Sequence, residues 1–232
     1  MRDWRRYAGV VIALAMLAML LAGCGRPGQS QQSDMAKDQT LKMVLPLNYG
    51  GANPVAALDP AQALFPPGLQ AANLLFDGLV TLDRNAHVEP WGAISWIVSP
   101  DGLTYTFTLR PGQRFSDGTS VRPSDYAWSI DRLASPCLSV ASIDRSVFTD
   151  FSFLAVLKDA PAFHGESCAS GKPAGARTSL IGDSILPDDS AGTLTLILAH
   201  PAGYFLAALA TPWSDAIERS VVTGDHLGGD GG

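Results

Sequence analysis

The chain has 232 residues, 47% of them hydrophobic and 16% charged, and its 22 acidic side chains outnumber 16 basic ones for a net charge of −6. That length suits one large domain or two small ones. The acidic balance argues against a nucleic-acid-binding surface and against electrostatic docking on anionic lipid.

Arg2, Arg5 and Arg6 give a positive start, Val10 to Leu21 form an unbroken apolar run, and small residues then lead to Cys24. That order is a secretory signal peptide over residues 1–23. Its core is shorter than the roughly 20 residues a membrane helix needs, and an uncleaved membrane helix is the alternative reading. Leu21-Ala22-Gly23-Cys24 resembles the lipobox of bacterial lipoproteins. The resemblance implies cleavage before Cys24, diacylglycerol on its thiol and an acyl group on the new amino terminus. One acyl chain holds a membrane marginally, and two or three hold it durably. Removing residues 1–23, with their three Arg and one Asp, leaves 209 residues near −8.

Residues 24–40 are polar and read as a flexible tether, with an r.m.s. reach of about 20–24 Å. Folded sequence begins at 41–47, where alternation suggests a strand. A Gly/Pro-rich stretch covers 48–67, and apolar residues at 71, 74 and 75 fit a short helix over 69–77. Short strands and turns fill 79–109. In Leu103-Thr104-Tyr105-Thr106-Phe107-Thr108-Leu109, large apolar residues hold every odd position and Thr every even one, so one face is buried and one wet. Trp96-Ile97-Val98 is its hairpin partner across the Ser99-Pro100-Asp101-Gly102 turn. Pro123 to Ala134 reads as a helix burying Tyr126, Ile130, Leu133 and Ala134, with Pro123 in the first turn and Asp125 at the positive end of the dipole. Residues 165–176 are a small-residue loop, 193–199 return to β character, 204–210 suggest a short helix, and 224–232 hold no folding signal.

With Cys24 acylated, Cys137 and Cys168 remain as an even pair. A disulfide between them would close a loop of roughly 30 residues in an oxidising compartment; two free thiols are the alternative. No paired His or CxxC spacing accompanies them, so no metal site is expected.

Leu58-Asp59-Pro60, Asn73 to Asp83, the Ser99-Pro100-Asp101-Gly102-Leu103-Thr104-Tyr105-Thr106-Phe107 run with Leu109-Arg110, Gly112, Phe115 and Asp117-Gly118-Thr119, the stretch Asp125 to Arg132, and Pro201-Ala202-Gly203-Tyr204-Phe205-Leu206 together resemble the family 5 extracellular solute-binding proteins of ABC importers, the oligopeptide- and dipeptide-binding type. The resemblance covers about residues 41–215. It implies an α/β fold: the first lobe of a type II periplasmic-binding-protein-like architecture, a mixed sheet with a smaller β-rich inserted subdomain. By the resemblance, the second lobe is expected to be absent from these residues, as in a truncated gene product or a partial sequence. The implied division is the main subdomain from 41 to 64, the insertion from 65 to 186, and a truncated return from 187 to 232. Asp77 stands where the family has Glu. Arg122 stands where the family has a hydroxyl cap, so a capping bond worth about 1 kcal/mol would be missing.

Most motif residues read as scaffold: Gly78, Gly102 and Gly118 in turns, Tyr105 and Phe107 in the core, Arg110 and Asp117 fixing loops by charge-assisted bonds. By the resemblance, the segment before Asn73 borders the cleft, which marks Phe65 as an aromatic wall and Gly68 as a point of close ligand approach; Trp213 is a weaker candidate. The implied function is capture of a peptide or related small solute outside the cytoplasmic membrane, by main-chain pairing as in strand addition, for delivery to ABC permease subunits. The protein would be extracytoplasmic and lipid-anchored, in the periplasm or on the cell surface. Such receptors close by hinge motion between two lobes, so this chain alone is expected to bind peptide weakly or not at all. A non-transport structural or sensory lipoprotein using the same lobe is the alternative. No hydrolase, zincin or P-loop motif occurs, His87, His164, His200 and His226 lie far apart, and neither enzyme activity nor a cofactor is expected.

Overall fold

The computed structural model describes residues 58–63, 66–138 and 153–223, all within one compact unit spanning 45–232. The elements are α1 (Pro66–Leu75), β1 (Val80–Leu82), β2 (Val88–Pro90), β3 (Ala93–Val98), β4 (Thr104–Leu109), α2 (Pro123–Ala134), α3 (Ala160–His164), β5 (Cys168–Ala169), β6 (Lys172–Pro173), β7 (Ile185–Asp188), β8 (Thr193–Ile197), α4 (Phe205–Leu209) and α5 (Arg219–Thr223). Short 3-10 turns cover Pro60–Gln62, Phe153–Ala155 and Pro212–Ser214. The signal, the tether, the strand expected at 41–47 and the glycine-rich end lie outside the described residues.

The centre is a four-stranded sheet in the order β3-β4-β8-β7. Every pair is antiparallel, and no mixed sheet occurs among the described residues. The Thr/apolar alternation explains it. Tyr105 pairs with Leu196 and Phe107 with Leu194 on the buried face. On the other face Thr106 and Thr195 are opposite, their hydroxyls 2.9 Å apart. β3 and β4 form the expected hairpin, Trp96 opposite Phe107, around a turn in which Gly102 takes φ +71°. A one-residue register slip would turn all these faces over, so pattern and pairing agree.

The division expected at residue 187 falls inside this sheet. Pro187 pairs with Leu194, and β8 lies between β4 and β7. The β8 side chains Leu194 and Leu196 complete the face begun by Tyr105 and Phe107.

Helix α2 covers that face with Tyr126, Ile130 and Leu133, all fully buried. As expected, the Arg122 side chain makes no capping bond at the start of the helix, and two carboxylates stand in for it. The Arg122 N–H donates to Asp125 Oδ2 (2.7 Å). Asp189, on the β7–β8 loop, accepts from the Ser124 N–H (2.9 Å) and Oγ (2.8 Å). The cap is present but comes from 65 residues away. At the other end Arg132 makes a two-pronged ion pair with Asp59, one arm (Nη1 to Oδ1) 3.0 Å long. Asp59 Oδ1 also accepts from the Ala61 N–H (3.0 Å) and so starts the Pro60–Gln62 turn. The Leu-Asp-Pro motif is thus an anchor for α2.

Cys137 and Cys168 are joined as a disulfide, Cα atoms 5.2 Å apart. It ties the exit of α2 to the loop over 165–176, which contains the two-residue ladder β5–β6.

Candidate functional site

A cavity of about 950 Å³ opens beside the start of α2. Segments far apart in sequence build it. The end of α1 supplies Leu75, with Phe76 and Asp77 just beyond it. Trp91 comes from the β2–β3 connection, and Arg110, Gln113, Arg114 and Phe115 from the loop after β4. The segment after Pro212–Ser214 adds Ala216, Ile217, Glu218 and Val221. Tyr126 of α2 is also in its lining.

Backbone bonds hold the last segment in place. The Trp213 indole N–H donates to the Ala63 carbonyl (3.0 Å), the Ala216 N–H to the Asp77 carbonyl (3.2 Å), and the Ile217 N–H to Ser129 Oγ (2.9 Å). Two glycines permit the close packing beneath. A Cβ on Gly92 would overlap the Tyr126 hydroxyl and lie 2.6 Å from the Gly78 carbonyl oxygen; one on Gly78 would lie 2.7 Å from Asp215 Oδ1. Gly118 and Gly102 are turn glycines with positive φ, but Gly78 is not: it is glycine for lack of room.

The floor is polar. Asp77 Oδ1 accepts the Trp91 indole N–H (2.6 Å). Asp215, 5% exposed, sits behind it. Burial, with the Asp77 charge adding, raises its carboxyl to about 8, so it is largely protonated at neutral pH. The Tyr126 phenol is pushed well above its ordinary value by burial and by Asp215 and Asp77. Its hydroxyl is buried, with the Gln113 side chain as its hydrogen-bonding neighbour. Arg110 is committed elsewhere, its Nε (3.2 Å) and Nη2 (3.0 Å) both donating to the Trp91 carbonyl; Arg114 Nη1 donates to the Gly118 carbonyl (2.6 Å). Among the described residues, no cation lies within ion-pair distance of Asp77 or Asp215, and no group of three or more metal-ligating side chains comes together.

The residues singled out from sequence are placed elsewhere. Gly68 is buried within α1 and does not line the cavity. Trp213 is packed against the core, not in the cavity wall. Phe65 and Cys24 lie outside the described residues. Arg110 and Asp117 fix loops, Asp117 Oδ1 accepting from the Thr119 N–H (2.8 Å) and Oγ1 (2.7 Å). Asp215 and Tyr126 were missed as site residues. The one signal for them was Asp77 in a position the resemblance gives to Glu.

Residues 87–225 match the family described as bacterial extracellular solute-binding proteins, family 5 Middle. The dipeptide-binding protein DppE of Bacillus subtilis is 27% identical over 91% of this chain and 35% of its own length. The periplasmic oligopeptide-binding protein OppA of Salmonella typhimurium is 29% identical over 93% of this chain and 34% of its own. Among solved structures, the unliganded open form of the periplasmic murein tripeptide-binding protein MppA superposes with a TM-score of 0.60 at 28% identity, covering 73% of this chain and 29% of that one. The chain therefore spans about a third of the length of these relatives. The fold is part of a type II periplasmic-binding architecture.

Proposed function

This chain belongs to the bacterial extracellular solute-binding proteins of family 5, and from that premise we propose that it forms part of the substrate-capturing component of an ABC importer for peptides or a related small solute. The observation that carries the reading is its likeness to peptide-binding relatives over 91–93% of its residues. The role is binding and delivery, not catalysis. Residues 1–23 act as the export signal and Cys24 carries the lipid. Residues 24–40 tether the folded part to the membrane, which places it outside the cytoplasm beside its permease. Phe65 and Gly68 border the solute, and a bridge between Cys137 and Cys168 suits the oxidising compartment.

Disruption of the gene tests the transport role. Uptake of labelled di- and oligopeptides should fall and return on complementation; unchanged uptake overturns it and favours a structural or sensory lipoprotein. Labelling with radioactive palmitate tests the anchor: the Cys24→Ser variant should lose the label. Calorimetry of the 232-residue chain against a mixed peptide pool should give weak heats or none, since these residues span only about a third of the length of the peptide-binding relatives. Tight, saturable binding would refute that.

A further inference from the structure

We propose that the outer edge of β3 is a docking surface for a second copy of this chain, paired antiparallel over residues 95–99 about a two-fold axis at Ile97. This goes beyond the transport reading and does not depend on it.

β3 is an end strand of the four-stranded sheet, and among the described residues no strand lies beyond it. The Leu79 carbonyl takes the Ala93 N–H (2.9 Å), which closes the start of β3 only. Farther along, the Ser99 N–H donates to the Thr104 carbonyl (2.9 Å), and the register with β4 runs unbroken from Ser95 to Val98. Hydrogen bonding alternates along an antiparallel strand. Ser95, Ile97 and Ser99 therefore face β4, and Trp96 and Val98 turn their N–H and C=O groups outward. The side chains here are apolar and open to solvent: Ile94 is 45% exposed, Ile97 74% and Val98 39%. No residue from 93 to 99 is charged or proline, although charge and proline are the usual guards of a sheet edge. The opposite edge has them. β7 carries Pro187 and Asp188, and Ile181 bridges to Ile185 beside it. One edge is closed and the other is left able to pair.

The occupant is a second copy because this edge complements itself. With the axis at Ile97, Trp96 of each copy exchanges both backbone bonds with Val98 of the other, so every outward group of the two residues is satisfied. Centring on Val98 would set Trp96 against Pro100, which has no N–H. Centring on Trp96 would set Val98 against Ile94, where the register shifts. At the chosen axis the two Ile97 side chains meet on the face that carries Thr106 and Thr195, and no like charges stand opposite each other. The contact is isologous and closes at two copies.

Sedimentation of the full 232-residue chain should show a mass that rises with concentration from one chain toward two. Val98→Pro removes an outward N–H and leaves the β3–β4 ladder its bonds. Ile97→Lys sets two like charges against each other at the axis. Each should weaken association tenfold or more while the circular dichroism spectrum stays that of the wild type. Oxidative cross-linking reads the register. In a Cys24→Ser background, Ile97→Cys should give a disulfide-linked dimer, its two side chains being directly opposite. Ser95→Cys should not, since its two copies would stand about 13 Å apart along the strands. A chain that stays monomeric, association unchanged in either folded variant, or equal cross-linking at 95 and 97 overturns the proposal; the first of these leaves the edge to a strand of another polypeptide. If Val98→Pro fails to fold, Ile97→Lys and the cross-linking pair decide.

Discussion

Replacing Asp215 by Asn should make the protein more resistant to denaturant at pH 8, and by a smaller margin at pH 5. The Asp215 carboxyl lies at about 8 in the folded chain against 3.8 when unperturbed, because burial, and then the Asp77 charge, disfavour the anion. Between those values the folded state holds a proton that the unfolded state has released. Stability therefore falls as pH rises through this window and levels off above it. Each unit is worth about 1.4 kcal/mol, so the full window sets a ceiling of about 5–6 kcal/mol. Local relaxation and water entry around the anion reduce this to about 2–4 kcal/mol, still a large part of the 5–15 kcal/mol that holds a domain together. Asn keeps the shape and cannot titrate. Urea unfolding followed by tryptophan fluorescence at pH 5, 6, 7 and 8 should show a falling midpoint for the wild type and a flatter one for the variant. Burial also raises Asp125 and Asp131, but these contribute equally to both proteins, so the difference between curves isolates Asp215. Asp77→Asn should make the wild-type fall level off at a lower pH, and so be smaller, by removing the neighbouring charge. Parallel curves for wild type and Asp215→Asn would show that the carboxyl is not held neutral and would refute the reasoning.

Gly92→Ala should cost more than 3 kcal/mol or prevent folding, since its methyl meets both the Tyr126 hydroxyl and the Gly78 carbonyl. Gly118→Ala, at φ +94° with open space around it, should cost only the backbone strain of about 1–2 kcal/mol; equal midpoints for the two would contradict this packing. Cys137→Ser should lower stability by about 2–4 kcal/mol, and mass spectrometry after alkylation without reductant should find neither Cys137 nor Cys168 modified in the wild type. Asp189→Ala should lose about 1 kcal/mol by uncapping α2, and a midpoint within error of the wild type would show that solvent caps the helix as well.

Where sequence and structure agree, the cause is local. The Thr/apolar alternation of 103–109 needs only the two-residue period of a strand, and the β3–β4 hairpin needs only a glycine able to take positive φ at 102. Helix α2 runs over its expected residues because Pro123, Asp125 and the apolar spacing all act within a few turns. Where they part, the cause is a contact between residues far apart in the chain. Nothing near Arg122 announces that Asp189 will cap the helix, and Gly78 resembles a turn glycine until Asp215 arrives beside it. The pairing of β8 shows the same limit. Thr193–Ile197 carries an identical alternating pattern whichever sheet receives it, and only the pairing of Leu194 and Leu196 with Phe107 and Tyr105 assigns it. The cavity is the extreme case. Its lining unites residues 77, 113 and 126, with Asp215 buried close enough to feel the Asp77 charge, each unremarkable in its own segment. The perturbed acidity of Asp215 exists only because the chain returns to bury it beside Asp77. A local motif can announce a strand or a cap, but a carboxyl held near neutrality is a property of the assembled neighbourhood, and its titration reports whether that neighbourhood has formed.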